Sequence, residues 1–497
     1  MRLSAVLAGV TAVRQQAAPD TAVSSLAYDS RRAGPGALFF AIPGFKADGH
    51  DFAAGALHQG VAAIVTERWL EGVFPQVQVG NARLAMAAAA ANFYGHPSRK
   101  LGLTAVTGTN GKTTTTFLID SILKTAGNKT GLIGGIEYRI GGSLSPAKRT
   151  TPEAPDLERA LAQMVDAGAG YGTIEASSHG VDLFRTACLR LAVVVFTNLT
   201  PDHLDLHGDM ESYFRTKRRL FFPEADEAAC LEGGPPPLGA VNLDDAYGRR
   251  LYHELGPERA LGYGIGETAA VHAVDVRERP WGTDFTLRTP AGAAPVSLHL
   301  PGSHNLENAL AAAAGSLQLD ISPDDVAAGI SALASVPGRL EPVETAAPFS
   351  VVVDYAHNED GLKCALTTAR SLTSGRLIIV FGCPGERDRD KRPRMGRIAG
   401  TLADLAILTT DDCYGEPPEQ ILDEAEPGLA ASGGDYRRIA SRREAIAAAL
   451  AAAVAGDLVL IAGKGHEKSQ ILAGGPVPFD DREVVLELTG SELSGSS

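Results

Sequence analysis

The segment Thr104-Ala105-Val106-Thr107-Gly108-Thr109-Asn110-Gly111-Lys112-Thr113-Thr114 constrains this chain more than any other stretch. A short run of β-formers leads into a glycine turn that ends in Lys-Thr. A helical pattern follows, with Phe117, Leu118, Ser121 and Ile122 on one face. Strand, glycine loop and helix N-terminus in that order build a polyphosphate cradle. Backbone N–H groups of Gly108, Thr109, Asn110 and Gly111 point at phosphate oxygens, Lys112 meets the terminal phosphates, and the Thr113 hydroxyl is placed to ligate Mg²⁺, with Thr114 beside it. The general pattern puts a glycine five residues before Gly-Lys, and that position here is Val106. The loop is therefore a shortened variant, and a plain glycine turn with a solvated lysine is the alternative. The order of elements favours a nucleoside triphosphate site, with ATP as the nucleotide.

At 497 residues the chain exceeds one core, so roughly two to four domains are expected. A hydrophobic content of 44% with 21% charged residues is ordinary globular composition. The formal net charge of −14 argues against an extended nucleic-acid surface. The cysteines, Cys188, Cys230, Cys364, Cys383 and Cys413, are scattered and form no C-x-x-C. That pattern favours a reducing cytoplasm over a disulfide frame or zinc site. Leu3, Val6, Leu7 and Val10 fall at helical spacing, so the N-terminus reads as a retained amphipathic helix, not a signal peptide. No apolar run reaches the length of a membrane span, and the Ala-rich stretches 85–91 and 445–455 read as packed helices.

The fold class is α/β in three domains. Residues 1–98 form a mixed α/β unit ending at the loop 96–100. Residues 99–336 form a doubly wound domain around the phosphate loop, with a small antiparallel appendage near 270–300. Residues 337–497 form a second, Rossmann-like domain. Tyr171–Ala176 and Leu191–Phe196 are expected strands of the central sheet, delivering Glu175 and then Asp202 and His203 to its carboxyl edge. Ligands collect beyond that edge in open α/β sheets, so Lys112, Glu175 and His203 are expected to converge. The third domain repeats a strand followed by a polar residue: 351–353 to Asp354, 377–380 to Gly382, 406–408 to Asp411, and 458–461 to Lys464. The proline loop 232–237 is expected at the surface, and the tail 491–497 is expected to be disordered.

Several further motifs make the chain resemble the Mur ligases, which build the peptide of bacterial cell-wall precursors. They are Thr-Thr-Pro (150–152), Glu-Ala-Ser-Ser-His-Gly (175–180), Asn-Leu-x-x-Asp-His-Leu-Asp (198–205) and Tyr213-x-x-x-Lys217. Gly302-x-His304-Asn305-x-x-Asn308, Gly338-Arg339-x-Glu341, Asp354-Tyr355-Ala356-His357 and Gly463-Lys464-Gly465-His466-Glu467 complete the set. Together with Tyr28-Asp29-Ser30-Arg31 near the start, they are similar to the branch that adds the third residue, the UDP-N-acetylmuramoyl-tripeptide synthetases.

The resemblance implies ATP-driven amide formation on the D-glutamyl γ-carboxylate of UDP-N-acetylmuramoyl-L-alanyl-D-glutamate, through an acyl phosphate, with a free diamino acid as the incoming amine. It further implies Mg²⁺ held by Thr113, Glu175, His203 and a CO₂-derived carbamate on Lys217. Without the carbamate, Lys217 is a plain surface lysine among arginines. Asn305, Arg339 and Asp354 are implied to contact the nucleotide. Ser30, Thr150, Thr151, Ser177 and Arg185 match positions that grip the UDP-peptide, and Arg387, Gly463 and Glu467 match positions at the incoming amino acid, with Arg387 expected at the α-carboxylate shared by all candidates. The chain is expected to act as a monomer.

Two other classes compete. A folylpolyglutamate-synthetase-like ligase shares the central and C-terminal design but lacks a UDP-binding unit such as 1–98. A non-catalytic nucleotide-binding scaffold has no use for Lys112, Glu175, His203 and Lys217 together. For the amino acid, the family's meso-diaminopimelate enzymes carry Asp-Asn-Pro-Arg, whose Arg pairs with the distal carboxylate. The matching segment here, Asp411-Asp412-Cys413-Tyr414, has no Arg. With Glu467 available for a distal ammonium, that favours L-lysine or L-ornithine over meso-diaminopimelate.

Overall fold

The computed structural model describes residues 1–44, 47–72, 74–231 and 233–491. Glu232 and residues 492–497, part of the expected proline loop and tail, lie outside the described residues.

The central unit is organised by an eight-stranded sheet. Gly102–Thr107, the phosphate-loop strand, lies between Tyr171–Glu175 and Val193–Phe196, parallel to both. Chain order reverses across this strand, so its carboxyl end is a crevice where ligands collect. The register places Glu175 beside Val106 and Phe196 beside Thr107. The residues leaving the two flanking strands are thereby set on either side of the loop. Val193 to Phe196 are fully buried, as a strand covered by helices on both faces requires. One face packs against the helices Lys112–Thr125, Ser303–Leu317 and Pro323–Ala332. The other packs against Ala154–Asp166, Met210–Arg218 and Ala246–Leu255.

The antiparallel appendage has three strands, His272–Arg279, Gly282–Thr289 and Gly292–Leu298. The sequence pattern marks only the last two. His272–Arg279 is charged and mostly exposed beyond its start, so it lacks the alternation that announces a strand.

The N-terminal unit is a five-stranded sheet, parallel apart from the edge strand Ala12–Gln15. The expected first helix is only Leu3–Val6. Leu3 and Val6 are buried and Leu7 and Val10 pack beside them, but the chain turns out at Gly9, φ +76°, and enters the edge strand. Hydrophobic spacing located the contact face correctly and overestimated the helix.

The C-terminal unit is a six-stranded sheet of order Glu341–Val343, Ser350–Asp354, Leu458–Ala462, Leu377–Phe381, Leu405–Leu408 and Tyr436–Arg438. Only the first pairs antiparallel. The four strands expected from sequence are its interior. The two edge strands are three residues long, too short for a periodic signal. Among the described residues no helix is long and apolar enough to cross a membrane.

Candidate active site

The loop Gly108–Gly111 is shaped by what cannot fit beside it. Gly108 has φ +148°, and a Cβ there would lie 1.9 Å from Thr197 Oγ1. Gly111 has φ +85°, and a Cβ would lie 2.2 Å from Asn308 Oδ1. Both glycines are required by left-handed backbone and by contact. The chain leaving Phe196 laces the loop in place. Asn198 accepts from Thr109 N at 2.9 Å through its carbonyl and from Asn110 N at 2.9 Å through Oδ1. Thr200 N donates to Thr109 Oγ1, which donates back to Thr200 O. That exchange gives Thr200 a structural task in holding the loop.

Lys112 folds back on the cradle, its Nζ donating to Gly108 O at 3.1 Å and Thr109 O at 2.8 Å. Burial holds its pKa below the usual lysine value, with Glu175 and Asp202 opposing and Arg339 assisting. Thr113 Oγ1 donates to Glu175 Oε2 at 3.1 Å, and Gly135 N donates to Glu175 Oε1 at 2.7 Å. Thr113 and Glu175 thus present hard oxygens to one point, the donor type that suits Mg²⁺.

Lys217 is buried, 1% exposed, so the surface-lysine alternative does not hold. It projects from the helix Met210–Arg218, lies 4.7 Å from the centroid of the Tyr213 ring, and donates from Nζ to Gly108 O at 2.8 Å. Two lysines therefore converge on one carbonyl. Burial, then the Lys112 charge, holds Lys217 well below its ordinary pKa, against the pull of Asp202.

His203 sits at the start of the short helix Leu204–His207 with φ +54°. Its Nε2 is 3.7 Å from Asp202 Oδ2, and its ring meets that of His179 edge-on, centroids 5.0 Å apart. Desolvation pushes His203 down to about 4, despite Asp202. The imidazole is neutral at pH 7 and retains a lone pair for a cation.

The C-terminal domain reaches into this cluster. Arg339 Nη2 donates to Thr113 Oγ1 at 3.1 Å while its guanidinium lies 4.7 Å from the Tyr355 ring centroid. Asp354 accepts from Leu340 N and Ala356 N, both at 2.7 Å. One carboxylate oxygen thus fixes the turn that carries Arg339, and the other holds the chain just after Asp354. Asn305 Nδ2 donates to Pro301 O, and Asn308 Nδ2 donates to Asn305 Oδ1 at 3.1 Å. These amides form a support behind Gly111.

A second cluster lies beside Glu175. Thr151 Oγ1 donates to Glu175 O and lies 3.0 Å from Ser177 Oγ. Arg185 donates to Thr151 O at 2.9 Å and pairs with Glu153 at 2.7 Å. Thr150 lies close to Gly135, whose added Cβ would be 3.3 Å from Thr150 Oγ1. Ser30 belongs to the N-terminal unit, in the turn Ser30–Arg32 capped by Asp29. Its neighbour Tyr28 hydrogen-bonds Asp156 on the helix Ala154–Asp166, joining that unit to the substrate side of the central one.

At the C-terminal rim, Lys464 is fully buried and pairs with Asp412 at 2.8 Å and Glu467 at 2.6 Å. Glu467 is thus paired within the chain, with its side chain about one third exposed at the rim. Gly463, φ +115°, is required because a Cβ would lie 2.5 Å from Asp411 Oδ2. Arg387 places its guanidinium 5.4 Å from the Tyr414 ring centroid. Its charge is also among those that depress His179 across the cleft, after burial.

Sequence reasoning missed Asn358 and Glu153 and assigned no role to Asp202. Asn358 Nδ2 donates to Asp202 Oδ2 at 3.2 Å and Asn110 Oδ1 at 3.4 Å, bridging the two domains at the loop. Glu153 gathers Arg185, Arg149 at 3.0 Å and Arg83 at 3.6 Å. Each directly follows a quoted motif, Asp-Tyr-Ala-His and Thr-Thr-Pro, and adjacency was the available signal.

The sequence matches three family descriptions in chain order: the Mur ligase family catalytic domain over residues 22–94, the Mur ligase middle domain over 106–315, and the Mur ligase glutamate ligase domain over 338–465. It is 42% identical over 499 residues, covering 98% of both chains, to a UDP-N-acetylmuramoyl-L-alanyl-D-glutamate–2,6-diaminopimelate ligase of Solibacter usitatus. It is 44% identical over 462 residues, covering 93% of this chain and 94% of the relative, to the protein of the same name in Geobacillus kaustophilus. A solved structure of a ligase of that name superposes with a TM-score of 0.67 at 30% identity over 99% of both chains. The chain belongs to the Mur ligase family of ATP-dependent amide-forming ligases, in the branch of the UDP-N-acetylmuramoyl-tripeptide synthetases.

Proposed function

We propose that this ligase adds meso-2,6-diaminopimelate to UDP-N-acetylmuramoyl-L-alanyl-D-glutamate. Relatives at 42% and 44% identity, matched over nearly their whole length, carry that amino acid in their names. They give no support to the L-lysine or L-ornithine expectation. That expectation rested on a missing Arg at position 414. The observation that carries the present reading is Arg387, whose guanidinium lies over the ring of Tyr414. Expected at the α-carboxylate, Arg387 lies beside position 414 and supplies from another segment a cation that pairs with the distal carboxylate instead. Glu467, oriented by Lys464, is placed for the distal ammonium that meso-diaminopimelate also carries.

In the reaction, a γ-carboxylate oxygen attacks the γ-phosphorus of ATP, the bond to ADP breaks, and an acyl phosphate forms. The amine then attacks the acyl carbon, the carbon–oxygen bond to phosphate breaks, and the amine loses a proton. Lys112 exchanges its loop carbonyls for phosphate oxygens and neutralises charge that grows as the two anions meet. Arg339 adds a second cation from the opposite domain, aimed by Asp354. Thr151, Ser177 and Arg185 orient the peptide, and Ser30 and its neighbours hold the uridine end. Closure of the C-terminal domain excludes water from the acyl phosphate.

Thr113, Glu175 and His203 fit Mg²⁺ by donor type and protonation state, and the bound ion supplies electrostatic stabilisation of the phosphoryl oxygens. Lys217 fits a carbamate for a separate reason. An amine held well below its ordinary pKa by burial and by the Lys112 charge is the more nucleophilic for it, and its attack on CO₂ forms an N–C bond and releases one proton. The product is an anion that balances Lys112.

Turnover with meso-diaminopimelate, L-lysine and L-ornithine, compared as kcat/KM on the UDP-dipeptide, tests the assignment. Preference for meso-diaminopimelate is expected. A clear preference for either of the others would restore the missing-Arg argument.

A further inference from the structure

Leu340, directly after Arg339, is buried and has φ +41°. A branched side chain strains left-handed backbone, and such a conformation persists only where its surroundings over-determine it. The turn Gly338–Glu341 is held on both sides. Asp354 Oδ2 accepts from Leu340 N at 2.7 Å, and Glu341 Oε2 accepts from Gly338 N at 2.6 Å. Gly338 O accepts from Tyr355 N at 2.9 Å. Gly338, φ +66°, lies against the peptide of Gly465 and His466, where a Cβ would be 2.3 Å from His466 N.

Glu341 is paired in turn from a distant segment. Arg482 Nη1 donates to Glu341 Oε1 at 2.6 Å, across 141 residues of sequence. Arg482 lies in the first turn of the helix Asp481–Thr489. That helix is fixed at its start. Asp481 accepts from Arg442 Nε at 2.8 Å and Nη2 at 2.7 Å, both side chains fully buried. Arg482 N donates to Asp480 Oδ1 at 2.9 Å, and Val484 and Val485 pack into the core. The Arg482 guanidinium is therefore delivered by a rigid element. Glu341 opens a three-residue edge strand, where a carboxylate gains hydration by swinging outward. The charge-assisted bond from Arg482 opposes that swing.

We propose that Arg482 is a positioning residue of the ligase: acting through Glu341, it sets the turn that aims Arg339 at the phosphate loop. The path runs from Arg482 to Glu341, from Glu341 to Gly338 N, and ends at Arg339, whose Nη2 donates to Thr113 Oγ1 at 3.1 Å. The C-terminal helix, far from the cleft in sequence, thereby controls a cation at the transferring phosphate. This role rests on the reading of Arg339 as a phosphate cation and is independent of which diamino acid is added.

Steady-state kinetics of Arg482→Gln in the full chain test it, with folded enzyme counted by UDP-dipeptide binding. A loss of about tenfold in kcat/KM for ATP is expected from one charge-assisted hydrogen bond, with KM for the UDP-dipeptide unchanged. Arg482→Lys should recover most of the loss, since the bond to Glu341 uses one guanidinium nitrogen. In an Arg339→Ala background, Arg482→Gln should change kcat/KM for ATP by less than about twofold, because the group it aims is gone. A merely structural ion pair would cost the same factor in both backgrounds. Full activity of Arg482→Gln, or equal losses in the two backgrounds, would overturn the proposal. If Arg482→Gln folds poorly, Glu341→Gln decides by the same cycle, since it keeps an acceptor for Gly338 N but loses the charge that Arg482 holds. A silent Arg339→Ala would remove the phosphate role of Arg339 and the aiming role with it. A damaging Arg339→Ala beside a silent Arg482→Gln would remove the aiming role alone.

Discussion

The phosphate cradle and the amino-acid rim lie on facing domains of one cleft but are built by opposite means. The cradle is backbone. Its shape comes from two glycines that exclude a Cβ and from a single stretch, Thr197 to Thr200, that ties the loop down. The rim is side chains. Arg387, the pair Asp412 and Tyr414, and the pair Lys464 and Glu467 arrive from three segments and are matched to one another by charge and stacking. A backbone device keeps its meaning when read locally. A side-chain device can exchange the segment that supplies a given charge, so a local motif there is a poor guide to specificity.

The sharpest way to break this contrast is at the one charged side chain the cradle needs. Lys112→Ala is expected to lower turnover at least about 10³-fold, because phosphoryl transfer is limited by charge stabilisation. The melting temperature should barely move, since among the described residues the Lys112 side chain bonds only to its own loop. A collapse of thermal stability alongside activity would mean that the lysine holds the loop together instead.

Lys217→Ala tests whether the cradle depends on a modified side chain. Loss of roughly 10²-fold or more is expected, with partial rescue by acetate or formate occupying the vacated space. Full activity without rescue would remove the carbamate from the mechanism. A dead enzyme that no carboxylate restores would leave Lys217 as a buried support for Gly108.

The same contrast explains what was legible in the sequence. The phosphate-loop strand, its neighbours and the four inner strands of the C-terminal sheet are buried on both faces, and continuous apolar runs announce such strands. Glu175 and Thr113 were legible because Glu175 ends its strand and Thr113 opens the helix just beyond the loop of the neighbouring strand, and parallel register brings those ends together. The strand His272–Arg279 was not, because its solvated residues carry no period. Asn358 was not, because its partners Asp202 and Asn110 are 156 and 248 residues away. The pairing of Glu467 with Lys464 was within local reach, three residues apart, but its meaning depended on Asp412 from another strand end.

Asn358 joins the two regions, so its loss should have an intermediate effect. Asn358→Ala removes one hydrogen bond to a carboxylate and one to the loop, together worth roughly 1.5 kcal/mol or about tenfold, and also the cap that its Oδ1 gives Gly361 N at the start of the helix Glu359–Ser371. The loss should appear in kcat/KM, and small-angle scattering of the free enzyme should show a less compact particle. Unchanged kinetics and scattering would mean that Arg339 and Thr113 suffice to hold the domains together.

The smallest effect is expected at Tyr414, and it bears most directly on the rim. A guanidinium over an aromatic face at an accessible site is worth about 0.5–1 kcal/mol, a two- to fivefold change. Tyr414→Phe keeps the ring and should be silent. Tyr414→Ala removes it and should raise KM for meso-diaminopimelate about threefold, with kcat and KM for ATP unchanged. Alanine is the informative substitution because Tyr414 has φ +50°. Alanine shares the left-handed penalty of tyrosine there, whereas glycine would relieve it and mix two effects. If Tyr414→Ala leaves KM unchanged while Arg387→Ala raises it strongly, Arg387 is aimed by its own backbone, and the rim is more like the cradle than its side-chain contacts suggest. If both are silent, the carboxylate partner lies elsewhere on the rim, and the assignment of Arg387 fails.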